Sequence, residues 1–149
     1  MGMSAAKKPY PGEAANVTQL LQLANEYCRA AHSLLTKDNS SPSHFAAPGR
    51  MLAIHAIELY LNVYLLHVGL KADEIRGMHH NLSTRAEMVI VKGLKLRKLT
   101  AAHLNNLAEN REYLVLRYDP GWKASASQIN RLTATLDEIA KKVVQNVNA

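Results

Sequence analysis

The sequence predicts an all-α fold: an up-and-down antiparallel bundle of four to five helices. Three observations carry this. Apolar residues recur at three- and four-residue steps through most of the chain, and no stretch alternates apolar and polar residues as a half-buried strand does. The periodic segments are joined by mostly short connections, the mark of helices that fold back on their neighbours. Aromatic residues are few (one Phe, one Trp and six Tyr), which argues against a β-sandwich and against base-stacking sheets.

Residues 1–12 (MGMSAAKKPYPG) have no apolar period and are expected to be a flexible leader, and residues 13–149 a single helical domain. In the first helix Val17, Leu20, Leu21, Ala24, Tyr27, Cys28, Ala31, Leu34 and Leu35 form one stripe; Asn16 and Gln19 have the spacing of a capping box. Lys37 to Pro48 is polar and proline-punctuated, a connection. The second helix, from about Gly49 to Val68 with Gly69 as its stop, is apolar on nearly every side and so is expected at the centre. That much apolar surface also implies a homodimer. The third helix is interrupted: a turn at Asp73 to Arg76 ended by Gly77, then a firmer helix from about Asn81 to Lys92. Thr100 is read as the cap of a fourth helix running through Leu104, Leu107, Arg111, Val115 and Tyr118 to the stop at Asp119-Pro120-Gly121. In the fifth, Ser125 and Gln128 read as a capping box; Ile129, Leu132, Leu136, Ile139 and Val143 face the core. Asp137–Lys141 and Glu138–Lys142 pair on the exposed side.

The chain has 149 residues, enough for one domain, with 48% hydrophobic and 20% charged residues, a soluble globular balance. No apolar run approaches ~20 residues and no signal-peptide core is present, so a membrane span and classical secretion are not expected; a cytoplasmic location follows by default. A single cysteine, Cys28, rules out an internal disulfide framework and a Cys-based zinc site. The net charge of +6 permits an anionic partner: RNA, a nucleotide or an acidic protein surface. No glycine-rich phosphate loop or nucleophile motif occurs, and no cofactor is implied.

Candidate site residues are the polar ones that interrupt apolar faces. His55, Glu58 and Asn62 fall within a ~60° strip of the second helix. Either this strip is where the helix meets water, or it faces the interior or a dimer seam, where Glu58 would need a partner. Arg111, on the apolar face of the fourth helix, either snorkels or is paired; Glu58 is the proposed mate, with Tyr118 and His80 completing the hydrogen bonds. His79-His80 opens the firmer part of the third helix. A metal site is not expected, since the Glu-x-x-His repeats of di-metal bundles are missing. Lys92, Lys95, Arg97 and Lys98 form a basic loop, either a solvated turn or a grip on phosphates.

Three segments in order, Ala56-Ile57-Glu58-Leu59-Tyr60-Leu61, His80-Asn81-Leu82 and Arg111-Glu112-Tyr113-Leu114-Val115-Leu116-Arg117-Tyr118 with Asp119-Pro120, together resemble the HEPN domain (higher eukaryotes and prokaryotes nucleotide-binding). The likeness is best over residues 50–120. It implies a four- or five-helix bundle, often homodimeric, that is either a metal-independent endoribonuclease or an inactive domain binding nucleotides, RNA or a nucleotidyltransferase partner. The family's ribonuclease signature is Arg, four to six residues, then His, commonly with Asn after the Arg and Tyr two beyond the His. Here Arg111 and Tyr118 match it, but Glu112 replaces the Asn and Leu116 the His. Leucine cannot exchange a proton near neutral pH. The resemblance therefore implies a catalytically degenerate, HEPN-like binding or scaffold domain, the alternative being an endoribonuclease using Arg111 and His80.

Overall fold

A computed structural model of the chain describes residues 8–36, 46–124 and 126–149. All regular structure among them is helical: α1 (Val17–Thr36), α2 (Ala46–His67), α3 (Ala72–Arg76), α4 (Leu82–Val91), α5 (Lys98–Glu109), α6 (Glu112–Tyr118) and α7 (Ile129–Val147), with a 3₁₀ turn at Trp122–Ala124.

The first cap is as expected. The Asn16 side chain accepts from the Gln19 N–H (2.8 Å) and Gln19 accepts from the Asn16 N–H (3.0 Å). Helix α2 starts earlier than the glycine, at Ala46, because Pro48 falls in the first turn, where no intrahelical N–H is needed. Most of the expected connection before it (37–45), and Ser125 of the expected capping box, lie outside the described residues. Gly69 ends α2 in the left-handed region (φ +103°), with the Leu70 N–H donating to the Leu65 carbonyl. Asn81 caps α4 by accepting from the Thr84 N–H at 3.1 Å. Of the expected leader, residues 8–12 enter a turn closed by the Glu13 N–H donating to the Tyr10 carbonyl, and the Arg76 guanidinium lies 4.7 Å from the centre of the Tyr10 ring.

Two helix expectations are corrected. Thr100 is not a cap: it lies inside the first turn of α5, fully buried, its hydroxyl donating to Glu138 at 2.7 Å. The fourth helix is two helices, since Arg111 adopts a left-handed backbone (φ +46°) and separates α5 from α6. The face continuity that set Arg111 alongside Leu104 and Leu107 is therefore lost.

Helix α2 is the centre. Ten of its apolar residues, from Ala53 to Leu65, are buried, and α1, α3, α4, α6 and α7 all pack on it. Its cover comes from its own chain, so its apolarity alone creates no need for a second copy. The residues of its middle turns left only partly buried include His55, Glu58 and Asn62, the strip read from the sequence.

Contact registers give the helix directions. Tyr60 donates to Asn25 and Leu35 approaches Gly49, so α1 runs antiparallel to α2. Thr100 meets Glu138 and His103 meets Thr135, so α5 runs antiparallel to α7. Glu58, Asn62 and Tyr64 meet His80, Arg85 and Lys92 in turn, so α4 runs in the same sense as α2. Strict up-and-down alternation is thus broken: α3 and the turn after it carry the chain back along α2 before α4 begins. On α7, Leu132, Leu136, Ile139 and Val143 are buried as expected and Ile129 partly. Glu138, expected on the exposed side, is only 9% exposed, because the segment before α5 folds over it. Among the described residues no helix is long and apolar enough to cross a membrane.

Candidate functional site

The polar strip of α2 is in contact with α1 through Tyr27, with the turn before α4 through His80 and, by way of His80, with Tyr113 of α6. Glu58 is 13% exposed, and its carboxylate meets the Nδ1 of His80 at 3.0 Å, the second oxygen lying at 3.4 Å. With Nδ1 against a carboxylate the imidazole is oriented, and its Nε2 is the edge left for a ligand. His80 itself is 56% exposed and packs against Tyr113 of α6, ring centres 5.2 Å apart and tilted 45°. One turn earlier on α2, His55 meets Tyr27 of α1 edge-on at 4.5 Å. Burial lowers the His55 pKa, the Glu58 carboxylate opposing the shift and His80 adding to it.

Behind this strip lies Arg85 of α4, only 2% exposed. Its Nε donates to Asn62 at 2.7 Å, and its terminal nitrogens reach the carbonyls of Asn81 (3.3 Å) and Ile75 (3.5 Å). Burial pushes its pKa down, against the pull of Glu58. Asn62 therefore anchors a buried guanidinium, while Glu58 engages the half-exposed His80.

Arg111 and Glu58 form no ion pair; the carboxylate is engaged by His80 instead. The Arg111 side chain is exposed at the break before α6, two residues ahead of Tyr113. Tyr118, proposed to complete that pair, is 70% exposed, with the Arg117 guanidinium over its ring. The sequence reading missed Arg85. Its signal was nonetheless present: Arg85 shares a buried face with Leu82, Ala86 and Val89, so the cation on an apolar stripe is Arg85 rather than Arg111.

Glu112, where the ribonuclease signature has Asn, is buried and structural. Its oxygens accept from the Ser127 N–H and, at 2.9 Å, from the Ser127 hydroxyl, tying α6 to the start of α7. Arg50 donates to the Ser127 carbonyl and lies over Trp122, closing the same corner. The basic loop is pinned by its backbone: Tyr64 donates to the Lys92 carbonyl (2.9 Å), Lys142 to the Lys95 carbonyl (2.5 Å), and the Arg97 N–H donates to Glu138 (2.9 Å). The side chains of Lys92, Lys95, Arg97 and Lys98 are exposed.

Among the described residues, those other than glycine with positive φ are His79 (+52°) and Arg111 (+46°). One immediately precedes His80; the other stands two residues before Tyr113. Both joints that set the His80–Tyr113 contact are thus held in a backbone region costing roughly 1–2 kcal/mol for such residues. Among the described residues no three His, Cys, Asp or Glu side chains gather as metal ligands do. Protein families, characterised proteins and solved structures were all compared with this chain, and none matches.

Proposed function

We propose that the chain is a non-catalytic, HEPN-like binding domain whose cleft at Glu58, His80 and Tyr113 holds a nucleotide. The observation that carries this is the pair of strained backbone joints at His79 and Arg111, which flank the contact between the oriented, half-exposed imidazole of His80 and the Tyr113 ring. Strain of this kind persists where surrounding structure over-determines it, and it concentrates at ligand clamps. The chemistry suits a nucleotide: Tyr113 and His80 offer faces for stacking a base, Glu58 and the His80 Nε2 edge can read polar base atoms, and Arg111 supplies an exposed guanidinium for phosphate. The homodimer and the nucleotidyltransferase partner belong to this reading on the resemblance alone.

The test is calorimetric titration with adenosine and guanosine monophosphates. Saturable binding is expected, weakened about tenfold or more by His80→Ala and by Tyr113→Ala, which corresponds to about 1.4 kcal/mol. Absence of binding, or binding indifferent to both substitutions, overturns the reading.

A second reading, a metal-independent endoribonuclease, is favoured by one observation: a carboxylate-oriented imidazole is the arrangement of a general base. Its assay is cleavage of a structured RNA in excess chelator. No cleavage is expected; cleavage abolished by both His80→Ala and Arg111→Ala would replace the binding reading with the catalytic one.

A further inference from the structure

On the other side of the basic loop, Arg97 and the outer face of α7 enclose a groove of about 480 Å³. Six charged residues line it: Arg97, Arg131, Asp137, Glu138, Lys141 and Lys142. It shares no lining residue with the Glu58–His80 cleft.

Both acids are already engaged. Glu138 accepts from the Thr100 hydroxyl (2.7 Å), the Arg97 N–H (2.9 Å) and the Lys142 ammonium (3.0 Å). Burial would raise its pKa, but these donors outweigh burial and hold it below the usual carboxylate range. Asp137 is turned to α1, 2.7 Å from His32 Nε2. Lys142 is consumed by Glu138 and by the Lys95 carbonyl.

Three cations are left with unused capacity. Arg97 is 83% exposed and only grazes Glu138, at 4.0 Å. Lys141 is exposed and has no ion pair or hydrogen bond from its ammonium among the described residues. Arg131 reaches Thr100 through one terminal nitrogen at a long 3.4 Å, and its buried Nε has no acceptor among the described residues. Arg131 and Lys141 are separated by ten residues, about 15 Å along the helix and within ~80° around it. A row of that length matches several phosphates in series rather than one. An acidic protein surface would need an apolar centre to its interface, and Ala134 is the one apolar residue lining the groove.

We propose that this groove binds the phosphate backbone of a single-stranded nucleic acid through Arg97, Arg131 and Lys141. It goes beyond the nucleotide cleft and does not depend on it. Three phosphate contacts predict that log K for a single strand falls with log salt at a slope of about −2.

The experiment is fluorescence anisotropy of a labelled twelve-residue oligouridine with the full chain, from low to physiological salt. Lys141→Gln, which breaks no contact within the fold, should weaken binding and make the slope shallower by about 0.7; adding Arg131→Gln should do so again. The charge-matched control Lys8→Gln with Lys123→Gln, outside the groove, should leave the slope unchanged. Equal losses in groove and control variants, or a wild-type slope in Lys141→Gln, overturn the proposal. So does displacement of the oligouridine by polyglutamate or by inorganic pyrophosphate as effectively as by unlabelled oligouridine. Loss in His80→Ala alone would return the nucleic acid to the cleft and refute the groove.

Discussion

His103 shows what a single buried residue contributes to pH dependence. It is 3% exposed between α5 and α7; its Nδ1 is 2.7 Å from the Thr135 hydroxyl, and its Nε2 has no hydrogen-bond partner among the described residues. Burial, with the charge of Arg131 adding to it, lowers its pKa to about 4. Unfolded, the same imidazole titrates near 6.5. Below pH 6.5 the unfolded chain therefore takes up a proton that the folded one refuses. The stability this neutral histidine allows is complete above pH 6.5, and it falls towards pH 4 by up to about 1.4 kcal/mol per unit, about 3 kcal/mol in all. Urea unfolding at pH 7 and pH 5 should show wild type losing roughly 2 kcal/mol more than His103→Gln, which keeps a donor for Thr135. Equal losses would mean the imidazole is protonated within the fold. Glu138, with its depressed pKa, acts lower down: its stabilisation is present above the unfolded carboxylate value and is lost as pH falls through the folded one. The Glu138–Lys142 pair was readable in the sequence, but the burial was not, because His103 is closed in by Thr135 and Glu138 by Thr100 and the Arg97 N–H, all more than thirty positions away.

At the scale of elements, what was legible is what short-range geometry decides. The α1 capping box, the split of the third helix and the strip of His55, Glu58 and Asn62 all depend on residues within a turn or two of each other, and all are present. The break at Arg111 was not legible. Nothing in Asn110-Arg111-Glu112 carries the glycine that usually marks a left-handed residue, and helical phase was carried across the break to pair Arg111 with Glu58. The strain there is testable. Arg111→Gly relieves the steric cost of φ +46° and should stabilise the domain by about 1 kcal/mol, whereas Arg111→Ala should not. Thermal melting of the two variants checks this. If the joint exists to aim Tyr113 at His80, the stabilised Arg111→Gly protein should also bind nucleotide less well than Arg111→Ala, both lacking the guanidinium assigned to phosphate. Equal melting temperatures for the two variants would mean the backbone relaxes at no cost.

At the scale of the whole molecule, α2 was legible as the hub, since a helix apolar on all sides has to be covered all round. The sense of α4 was not. Periodicity says which face of a helix is buried but not which way it runs, and a fourteen-residue return through α3 replaced the simple reversal expected of a bundle. One physical consequence joins these facts. Five helices rest on α2, so loosening any one exposes the same core, and the domain should unfold as one cooperative unit. Gly49 is where this can be tried hardest: a Cβ there would meet Leu35 at 2.9 Å and Leu34 at 3.1 Å, so α1 lies as close to α2 as a glycine allows. Gly49→Leu should overpack that contact and cost about 1–3 kcal/mol. Because Trp122 reports the corner between α6 and α7, remote from α1 in sequence, its fluorescence and the helical circular dichroism should shift together to the same lower denaturant midpoint. A variant in which the dichroism falls before the Trp122 signal would show α1 detaching by itself, and α2 would then hold together only the part of the chain that follows it.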